Sequence, residues 1–219
     1  MLKKTISTLM LFVSFQVHAL EKPIKNGRLE VICGSMFSGK STELLRRIKR
    51  AKHAKKEILS IKSHLDTRRE EFCITTHDGQ KQTAHLLSNN MENLSDSITK
   101  LSEGVDVVGI DEIQFFPYKM ISIIENLIEK GIIVIVAGLD LDFRGEPFSI
   151  MPELMAKADK VHKFSAICSK CGNDAHYSQR IINGKPAKYD DPIIMVGAEE
   201  CYEARCRNCF ETHKPQITN

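Results

Sequence analysis

The chain has 219 residues, 42% of them hydrophobic and 27% charged, which is enough for one α/β core with a small appendage but not for two large domains. Its formal net charge of +3 is too small to indicate a nucleic-acid partner. With no tryptophan and only 6% aromatic residues, the sequence also lacks the composition of a base-stacking platform, so we expect no nucleic acid among the partners.

The first 20 residues resemble a secretory signal. Lys3 and Lys4 precede an apolar run over residues 9–17, and Val17-His-Ala19 fits a small-residue cleavage site. The apolar run is too short to span a bilayer as a helix, so we expect no membrane contact. A start codon placed too far upstream is the alternative, and on either reading residues 1–27 form an N-terminal extension.

A glycine-rich motif follows the first apolar strand. Residues 34–42 fit the pattern G-x-x-x-x-G-K-[ST], with a strand over residues 29–33 before it and a helix after it. The alternative, a glycine-rich turn without a ligand, is disfavoured because both flanks are present. Backbone N–H groups of such a loop converge on phosphate, and the helix N-terminus adds partial positive charge. The sequence therefore predicts a nucleoside triphosphate site formed by Gly34, Ser35, Met36, Phe37, Ser38, Gly39, Lys40 and Ser41, with Lys40 at the β/γ-phosphates and Ser41 on Mg²⁺.

Apolar strands alternate with helical segments over residues 28–167. The hydrophobic pattern predicts strands over 29–33, 57–61, 105–110, 132–137 and 161–167, and helices after the glycine-rich loop and over 86–101 and 120–128. Strands that are apolar throughout are typical of parallel sheets covered on both faces. The prediction is an α/β P-loop fold of the RecA-like type, a doubly wound parallel sheet that binds ligands at the carboxyl ends of its strands.

Acidic residues follow three of the predicted strands: Asp66, the pair Asp111 and Glu112, and Asp140. A phosphoryl-transfer site needs an acid that holds Mg²⁺ and a group that orients or deprotonates the nucleophile. We predict that Asp111 binds the metal through water and that Glu112 takes the proton of an acceptor hydroxyl. Without the glycine-rich loop, the same pair would indicate only a solvated strand end.

Two C-x-x-C pairs lie in the last quarter of the chain. Their spacing predicts a tetrahedral Zn²⁺ site with no open position, which would stabilise a segment that has little core of its own. Disulfides, if the signal is functional, and a redox pair are the alternatives. We assign residues 168–213 to a small zinc-ribbon or lasso domain and residues 214–219 to a tail. The predicted metal ligands are Cys168, Cys171, Cys206 and Cys209, whereas Cys33, Cys73 and Cys201 are expected to be packed thiols.

The segment from residue 180 to 198 separates the two cysteine pairs. A loop tied at both ends by a metal could close over a small substrate, because lids exclude water from a transferable phosphate. An ordinary hairpin over the sheet is the other interpretation. The spacing leaves both open.

The chain resembles the zinc-containing, cytosolic type of the thymidine kinase family. The resemblance extends from about Arg28 to Phe210. Besides the glycine-rich loop and the two cysteine pairs, it is carried by Asp66-Thr-Arg68, His77-Asp-Gly79, Asp111-Glu-Ile-Gln-Phe-Phe116, Gly138-Leu-Asp140, Asp142-Phe-Arg-Gly-Glu-Pro-Phe148 and Tyr202. It implies transfer of the γ-phosphate of ATP to the 5′-hydroxyl of thymidine or deoxyuridine, in pyrimidine salvage.

The same resemblance implies roles for individual residues. Glu112 corresponds to the general base, Ser41, Asp66 and Asp111 to the surroundings of Mg²⁺, and Ile113 and Gln114 to the nucleotide-site motif, although Ile113 stands where small residues are usual. The implied nucleoside pocket consists of Phe115, Phe143, Phe148, Val196 and Tyr202. The family is usually tetrameric and commonly inhibited by dTTP, so a homotetramer and dTTP binding are expected. A Mg-ATP enzyme with a thiolate metal site suits the cytoplasm, where we expect the protein.

Two other functions remain to be weighed against a nucleoside kinase. A RecA-like ATPase that moves DNA could use Glu112 as its water-positioning acid, but the small net charge offers little surface for DNA. A non-enzymatic zinc-ribbon module with a degenerate loop is disfavoured because every position of the glycine-rich motif is intact.

Overall fold

The computed structural model of the protein describes residues 27–65, 72–76, 79–87, 93–194 and 201–212, with only the backbone of Cys201. No helix in these residues is long and apolar enough to cross a membrane. A 3₁₀ turn covers Ile113–Phe115. The other elements are, in chain order, β1 (Arg28–Gly34), α1 (Lys40–His53), β2 (Ile58–Ser63), β3 (Cys73–Thr75), β4 (Lys81–Thr83), β5 (His85–Leu87), α2 (Leu94–Leu101), β6 (Val107–Asp111), α3 (Lys119–Glu129), β7 (Ile133–Gly138), α4 (Met151–Lys157), β8 (Lys160–Phe164), β9 (Ala166–Ile167), β10 (Asp174–Ala175), β11 (Tyr177–Ile182), β12 (Lys185–Pro186) and β13 (Cys201–Arg205).

Six strands form one sheet in the order β5-β2-β6-β7-β1-β8, and every pairing within it is parallel. Because all strands run in the same direction, their carboxyl ends lie along one edge of the sheet. The glycine-rich loop after β1, Asp111 at the end of β6 and Asp140 after β7 meet at this edge. One strand, β7, separates β1 from β6.

Helices cover both faces of the sheet. On one face α1 buries Leu44, Leu45 and Ile48 against strand residues of β1, β6 and β7. On the other face α2, α3 and α4 contribute side chains such as Ile98 and Leu154 to a second core. Each fully buried Leu or Ile contributes about 1.5–3 kcal/mol relative to an exposed one. The predicted doubly wound parallel sheet is confirmed.

Two segments differ from the sequence prediction. The predicted helix over 86–101 is wrong at its start, because Leu86 and Leu87 pair with β2 as the end of β5 and the helix begins only at Leu94. The predicted strand over 161–167 is in fact divided. Lys160–Phe164 pairs with β1, whereas Ala166–Ile167 pairs with β10 outside the main sheet. In both cases pairing with a strand distant in sequence overrides the local apolar pattern.

After β8 the chain forms a separate group of short strands, here called the cysteine lobe (residues 166–194 and 201–212). It contains the β9–β10 pair and a three-stranded antiparallel sheet in the order β12-β11-β13. Its buried apolar cluster consists of Ala166, Ala175 and Ala204 with Cys168 and Cys206. Such small side chains bury little apolar surface, so the lobe needs stabilisation from another source. The proposed domain boundaries remain predictions.

Gly109 in β6 sets how closely α1 can approach the sheet. A Cβ on this residue would lie 2.7 Å from Ile48 Cδ1, and Ile48 is fully buried. We predict that Gly109→Ala lowers the free energy of unfolding by about 1–3 kcal/mol, because an overpacked core must shift.

The matched test is a double-variant cycle followed by urea unfolding. Ile48→Val deletes the Cδ1 methyl that the new Cβ would meet, so the double variant should lose less stability than the sum of the single changes. Strictly additive losses would contradict direct contact between these two positions.

Candidate active site

The glycine-rich loop connects β1 to α1 in a conformation that its first position permits only to glycine. Gly34 has a φ of +138°, and a Cβ there would lie 2.2 Å from the carbonyl oxygen of Phe164. At the other end of the loop, Gly39 is the N-cap of α1, and α1 begins at Lys40. The N-terminus of α1 therefore opens directly into the loop, as anion-binding loops of this kind require.

Lys40 is buried although it is charged. Its Nζ donates a hydrogen bond of 2.7 Å to the carbonyl oxygen of Ser35, and the Ser38 hydroxyl donates to the same oxygen at 2.7 Å. The ammonium group thus lies inside the loop, where a phosphate oxygen could replace the carbonyl as its acceptor. This position agrees with the phosphate-binding role predicted for Lys40.

The loop also rests on the cysteine lobe. Ser35 Oγ donates to the carbonyl oxygen of Ala175 at 2.9 Å, and the backbone N–H of Met36 donates to Ser178 Oγ at 2.9 Å. No sequence pattern predicts these contacts, because the partners are 140 and 142 residues apart. The cysteine lobe therefore supports the glycine-rich loop.

Ser41 and Asp111, two of the residues predicted to lie around Mg²⁺, are hydrogen-bonded to each other. Ser41 Oγ donates to Asp111 Oδ1 at 3.2 Å, and the backbone N–H of Glu112 donates to the same oxygen at 3.1 Å. A hydroxyl and a carboxylate are the oxygen ligands that Mg²⁺ prefers, so this pair fits the ion predicted from the sequence. Asp66, the third predicted residue of this group, lies outside the described residues.

Glu112 is held in an unusual position by a glutamine. Its φ of 51° and ψ of 45° are left-handed, which is costly for a residue with a side chain and is typical of functional sites. Gln114 Nε2 donates to Glu112 Oε2 at 2.5 Å, while Gln114 Oε1 accepts from the backbone N–H of Leu139 at 3.1 Å. The amide therefore fixes the Glu112 carboxylate relative to the end of β7.

Gly138 makes room for this arrangement. A Cβ on Gly138 would lie 2.6 Å from Gln114 Oε1 and 2.8 Å from Ile113 Cγ2. Ile113 is fully buried in the core beneath Glu112. Its isoleucine side chain fits there because residue 138 is a glycine and has no side chain. Nothing in the sequence pattern singles out Gly138 for this role beyond its place at the end of an apolar strand.

A cleft of about 360 Å³ lies beside the 3₁₀ turn over Ile113–Phe115, which follows Glu112. This volume is near the lower end of the range for small-molecule sites. The rings of Phe115 and Phe148 meet edge to face with centroids 6.1 Å apart, which is a favoured aromatic geometry. The residues that line the cleft are Leu65, Gln114, Phe115, Phe116, Pro117, Asp142, Arg144, Pro147, Phe148, Ser149, Ile193 and Ile194.

The other predicted nucleoside-pocket residues lie elsewhere. Phe143 is buried, and its ring packs against the guanidinium of Arg180, with 4.0 Å between Cζ and the ring centroid. The Tyr202 hydroxyl accepts a hydrogen bond of 2.9 Å from Arg180 Nε. Neither Phe143 nor Tyr202 lines the cleft, and Val196 lies outside the described residues.

Two further aspartates shape the edge of the site. Asp140 pairs with Lys163 at 2.7 Å, and its Oδ1 is buried with no hydrogen-bond partner in the described part of the chain. Asp142 Oδ1 accepts from the backbone N–H groups of Arg144 at 2.9 Å and Glu146 at 3.1 Å. Asp142 thereby shapes the turn over residues 142–148, here called the Asp142 turn.

The four predicted cysteine ligands come together in the lobe. Their sulfur atoms all lie within 4.8 Å of one another, and those of Cys171 and Cys206 are 3.5 Å apart. A tetrahedral Zn²⁺ with bonds of about 2.3 Å would space sulfurs by about 3.8 Å, so this cluster could hold such a metal. None of the cysteines with described side chains forms a disulfide.

Thiol ionisation differs from one cysteine to the next, within the cluster as well as outside it, since the hydrogen bond with Cys171 raises the pKa of Cys209 to about 12. Burial raises the pKa of Cys168, but backbone N–H groups, first that of Cys206, bring it down to about 6, which favours the thiolate that binds metal. In β1, burial raises the pKa of Cys33 to about 11, so that thiol stays protonated and packed. Cys73 is half-buried, and the side chain of Cys201 lies outside the described residues.

Comparison with known proteins agrees with this geometry. The model of the thymidine kinase family matches residues 27–210. The chain belongs to the thymidine kinase family. The thymidine kinase of Coprothermobacter proteolyticus (strain ATCC 35245 / DSM 5265 / OCM 4 / BT) is 53% identical over 194 residues, which cover 89% of this chain and 96% of that protein. Membership of this family makes the chain a nucleoside kinase.

The solved structures that match this chain are more distant. A DNA replication initiation factor is 15% identical with a TM-score of 0.40. The replication initiator DnaA bound to AMPPCP and single-stranded DNA gives 15% and 0.41, and AMPPCP-bound DnaA from Aquifex aeolicus gives 14% and 0.41. The matches cover 63%, 63% and 64% of this chain and span only 40%, 40% and 41% of those chains.

Gly138→Ala should damage turnover as well as stability. The added Cβ would displace Gln114, which holds both the Glu112 carboxylate and the end of β7, so kcat should fall at least about tenfold while stability falls by about 1–3 kcal/mol. Gly109→Ala is the matched control, because its Cβ meets only side chains of α1. Steady-state kinetics and urea unfolding on both variants decide this. Equal kcat values for the two would contradict a role for Gln114 in placing Glu112.

Proposed function

We propose that this kinase transfers the γ-phosphate of ATP to the 5′-hydroxyl of thymidine, and also of deoxyuridine, giving the monophosphate for pyrimidine salvage. The observation that carries the proposal is the position of Glu112. Its carboxylate is tied by Gln114 to the wall of an aromatic cleft, while its backbone N–H bonds Asp111, the partner of Ser41. A base at this position lies between the proposed phosphate site and the proposed nucleoside site.

The phosphate end consists of the residues predicted for it. The N–H groups of loop 34–41 and the Lys40 ammonium bind the phosphates of ATP, and Ser41 and Asp111, with Asp66, would hold Mg²⁺. The ion supplies positive charge that offsets the charge on the phosphate oxygens. Ile113 and Gln114 continue this motif, with Ile113 supporting the turn from below and Gln114 fixing the base.

Glu112 acts as the general base in the transfer. As the 5′-oxygen attacks the γ-phosphorus, its proton passes to the Glu112 carboxylate, and the bond from phosphorus to the β-phosphate oxygen breaks to release ADP. The hydrogen bond from Gln114 to Glu112 Oε2 holds the carboxylate in one orientation. This pre-organisation lowers the cost of reaching the reactive geometry.

The nucleoside end lies in the cleft. Phe115 and Phe148 form apolar walls for the base and sugar, and Ile193 and Ile194 approach from the cysteine lobe. Residues 185–194, here called the covering segment, would exclude water from the transferable phosphate. In this proposal Phe143 and Tyr202 support the nucleoside pocket through their contacts with Arg180, and the role of Val196 stays a prediction.

The cysteine cluster is proposed as a structural Zn²⁺ site. Cys168, Cys171, Cys206 and Cys209 supply four sulfur ligands, and the metal closes a lobe whose own apolar core is small. From the family resemblance we further propose a homotetramer, inhibition by dTTP at the active site and a cytoplasmic location.

The reaction is tested by a coupled assay of ADP release. Thymidine and deoxyuridine should stimulate ADP release from ATP and Mg²⁺, whereas deoxycytidine should not. Glu112→Gln should lower kcat by about 10²–10⁴-fold while both substrates still bind, because the positioned base is lost.

Controls separate the base from general damage. Glu125→Gln makes the same chemical change at an exposed residue of α3 that forms an ion pair with Lys157 of α4. This variant should leave kcat unchanged. Turnover of Glu112→Gln within a few-fold of wild type would assign the base to another residue. ADP release that does not depend on nucleoside would favour an ATPase instead.

Removal of one cysteine ligand should remove the metal. Cys206→Ser should bind less than about a tenth of the zinc bound by wild type, since one thiolate of a closed site is lost. The KM for thymidine should rise more than that for ATP, because the covering segment belongs to the lobe whereas the phosphate loop is joined to it through the hydrogen bonds that Ser35 Oγ and Met36 N–H donate.

Elemental analysis and kinetics measure both effects. Cys73→Ser, which changes a cysteine outside the cluster, is the control and should retain full zinc. Full zinc in Cys206→Ser would refute the ligand assignment.

A further inference from the structure

Arg180 in β11 has the largest fully buried side chain among the described residues, with 1% of its surface exposed. Burial of a guanidinium is costly unless its N–H donors find acceptors. This side chain belongs to β11 of the cysteine lobe and has no part in the phosphate site or the proton transfer proposed above, so these do not explain its burial. Its contacts therefore indicate another role.

The guanidinium donates to three groups on two different parts of the lobe. Nη1 donates to the carbonyl oxygen of Pro192 at 2.6 Å, and Nη2 donates to that of Ile193 at 2.6 Å. Nε donates to the Tyr202 hydroxyl at 2.9 Å. Hydrogen bonds from an ionised donor are roughly twice as strong as neutral ones. Arg180 thus joins two successive carbonyls of the covering segment to β11 and β13.

The face of the same guanidinium packs against a residue outside the cysteine lobe. Its Cζ lies 4.0 Å from the ring centroid of Phe143, which is within the range of a strong cation–π contact. Phe143 belongs to the Asp142 turn, and that turn supplies Asp142, Arg144, Pro147 and Phe148 to the lining of the cleft. Arg180 therefore bridges the covering segment and the wall of the cleft.

From these contacts we propose that Arg180 is a positioning residue that latches the covering segment over the nucleoside cleft. The proposal rests on the proposed function for the identity of the nucleoside. Ile193 and Ile194 line the cleft while 40% and 43% exposed. Arg180 fixes the backbone at Ile193 and leaves the apolar side chains of both residues available to cover a bound nucleoside.

A second, weaker contact shows which part of the segment depends on the latch. The Tyr189 hydroxyl donates to Glu146 Oε1 at 3.3 Å, and the Arg144 guanidinium lies 5.2 Å from the Tyr189 ring. This contact joins the middle of the covering segment to the Asp142 turn. Without the guanidinium the segment remains attached at Tyr189 but loses its attachment at Pro192 and Ile193.

Lysine cannot replace arginine in this role. The planar guanidinium presents Nη1, Nη2 and Nε to three acceptors in one plane while its face stacks on an aromatic ring. An ammonium group is a point charge on a flexible chain and cannot satisfy both carbonyls and the hydroxyl at once. Arg180→Lys therefore separates the charge from the geometry of the latch.

The latch is tested by hydrogen–deuterium exchange on the full-length, zinc-containing protein without substrates. In Arg180→Met the amides of residues 187–194 should exchange at least about tenfold faster than in wild type, because local opening no longer breaks charge-assisted hydrogen bonds. Zinc content and exchange in β6 and β7 should not change. Unchanged exchange over 187–194 would overturn the proposal.

Kinetics provide the second readout. Arg180→Met should raise the KM for thymidine about 10–100-fold and that for ATP less than about threefold, the size expected for losing hydrogen bonds to a charged group. Arg180→Lys should resemble Arg180→Met in thymidine KM. Arg50→Met, which makes the same chemical change at an exposed position of α1, should match wild type. Equal increases for both substrates, or full rescue by lysine, would overturn the latch.

Two provisions keep the outcomes distinct. If Arg180→Met does not fold, Tyr202→Phe removes only the acceptor of Nε, and a thymidine-selective rise of about 3–10-fold is then expected for the loss of one such hydrogen bond. An equal effect on ATP would overturn the proposal. If wild type does not phosphorylate thymidine, the proposed function fails, and the exchange experiment still decides the latch.

Discussion

The hydrogen bond between Ser41 and Asp111 depends on the spacing of three parallel strands. Asp111 ends β6 and the loop before Ser41 follows β1, with β7 between them. Two strand spacings separate these ends by about 9–10 Å. The glycine-rich loop and the first turn of α1 cross this gap, so Ser41 reaches Asp111 at 3.2 Å. The positions of the glycine-rich loop, of the proposed metal ligands and of the proposed base depend on that geometry.

The cysteine lobe couples the two halves of the site. It accepts hydrogen bonds from the Ser35 hydroxyl and the Met36 N–H of the glycine-rich loop, and it carries the covering segment that lines the cleft. Because the buried apolar cluster of the lobe consists of alanines and cysteines, apolar burial contributes little to its stability. The four-cysteine cluster has to provide the remaining stability. A change that loosens the cluster is therefore expected to affect the covering segment, which belongs to the lobe, more than the glycine-rich loop, which donates hydrogen bonds to it.

Three energetically unfavourable features lie at the candidate site and in the lobe that carries the covering segment. Glu112 has a left-handed backbone, Gly138 leaves space only for Ile113 and Gln114, and Arg180 buries a guanidinium. Each costs free energy that the large core of the parallel sheet offsets, since β6 and β7 are buried along their whole length. Surrounding packing then keeps these residues in geometries that an isolated turn would not adopt.

The sequence by itself determined the parts of this protein whose signals are local. The glycine-rich loop, the acids after apolar strands and the paired cysteines each follow from a motif within a few residues, and unbroken apolar strands indicate a parallel sheet. Contacts between distant residues were decided only by the tertiary structure. Gln114 accepts a hydrogen bond from Leu139, 25 residues further along the chain. The Arg180 guanidinium packs on the ring of Phe143, and Leu86 and Leu87 form a strand because they pair with β2. No periodicity encodes such pairs, because each depends on how whole elements pack rather than on the residues beside them.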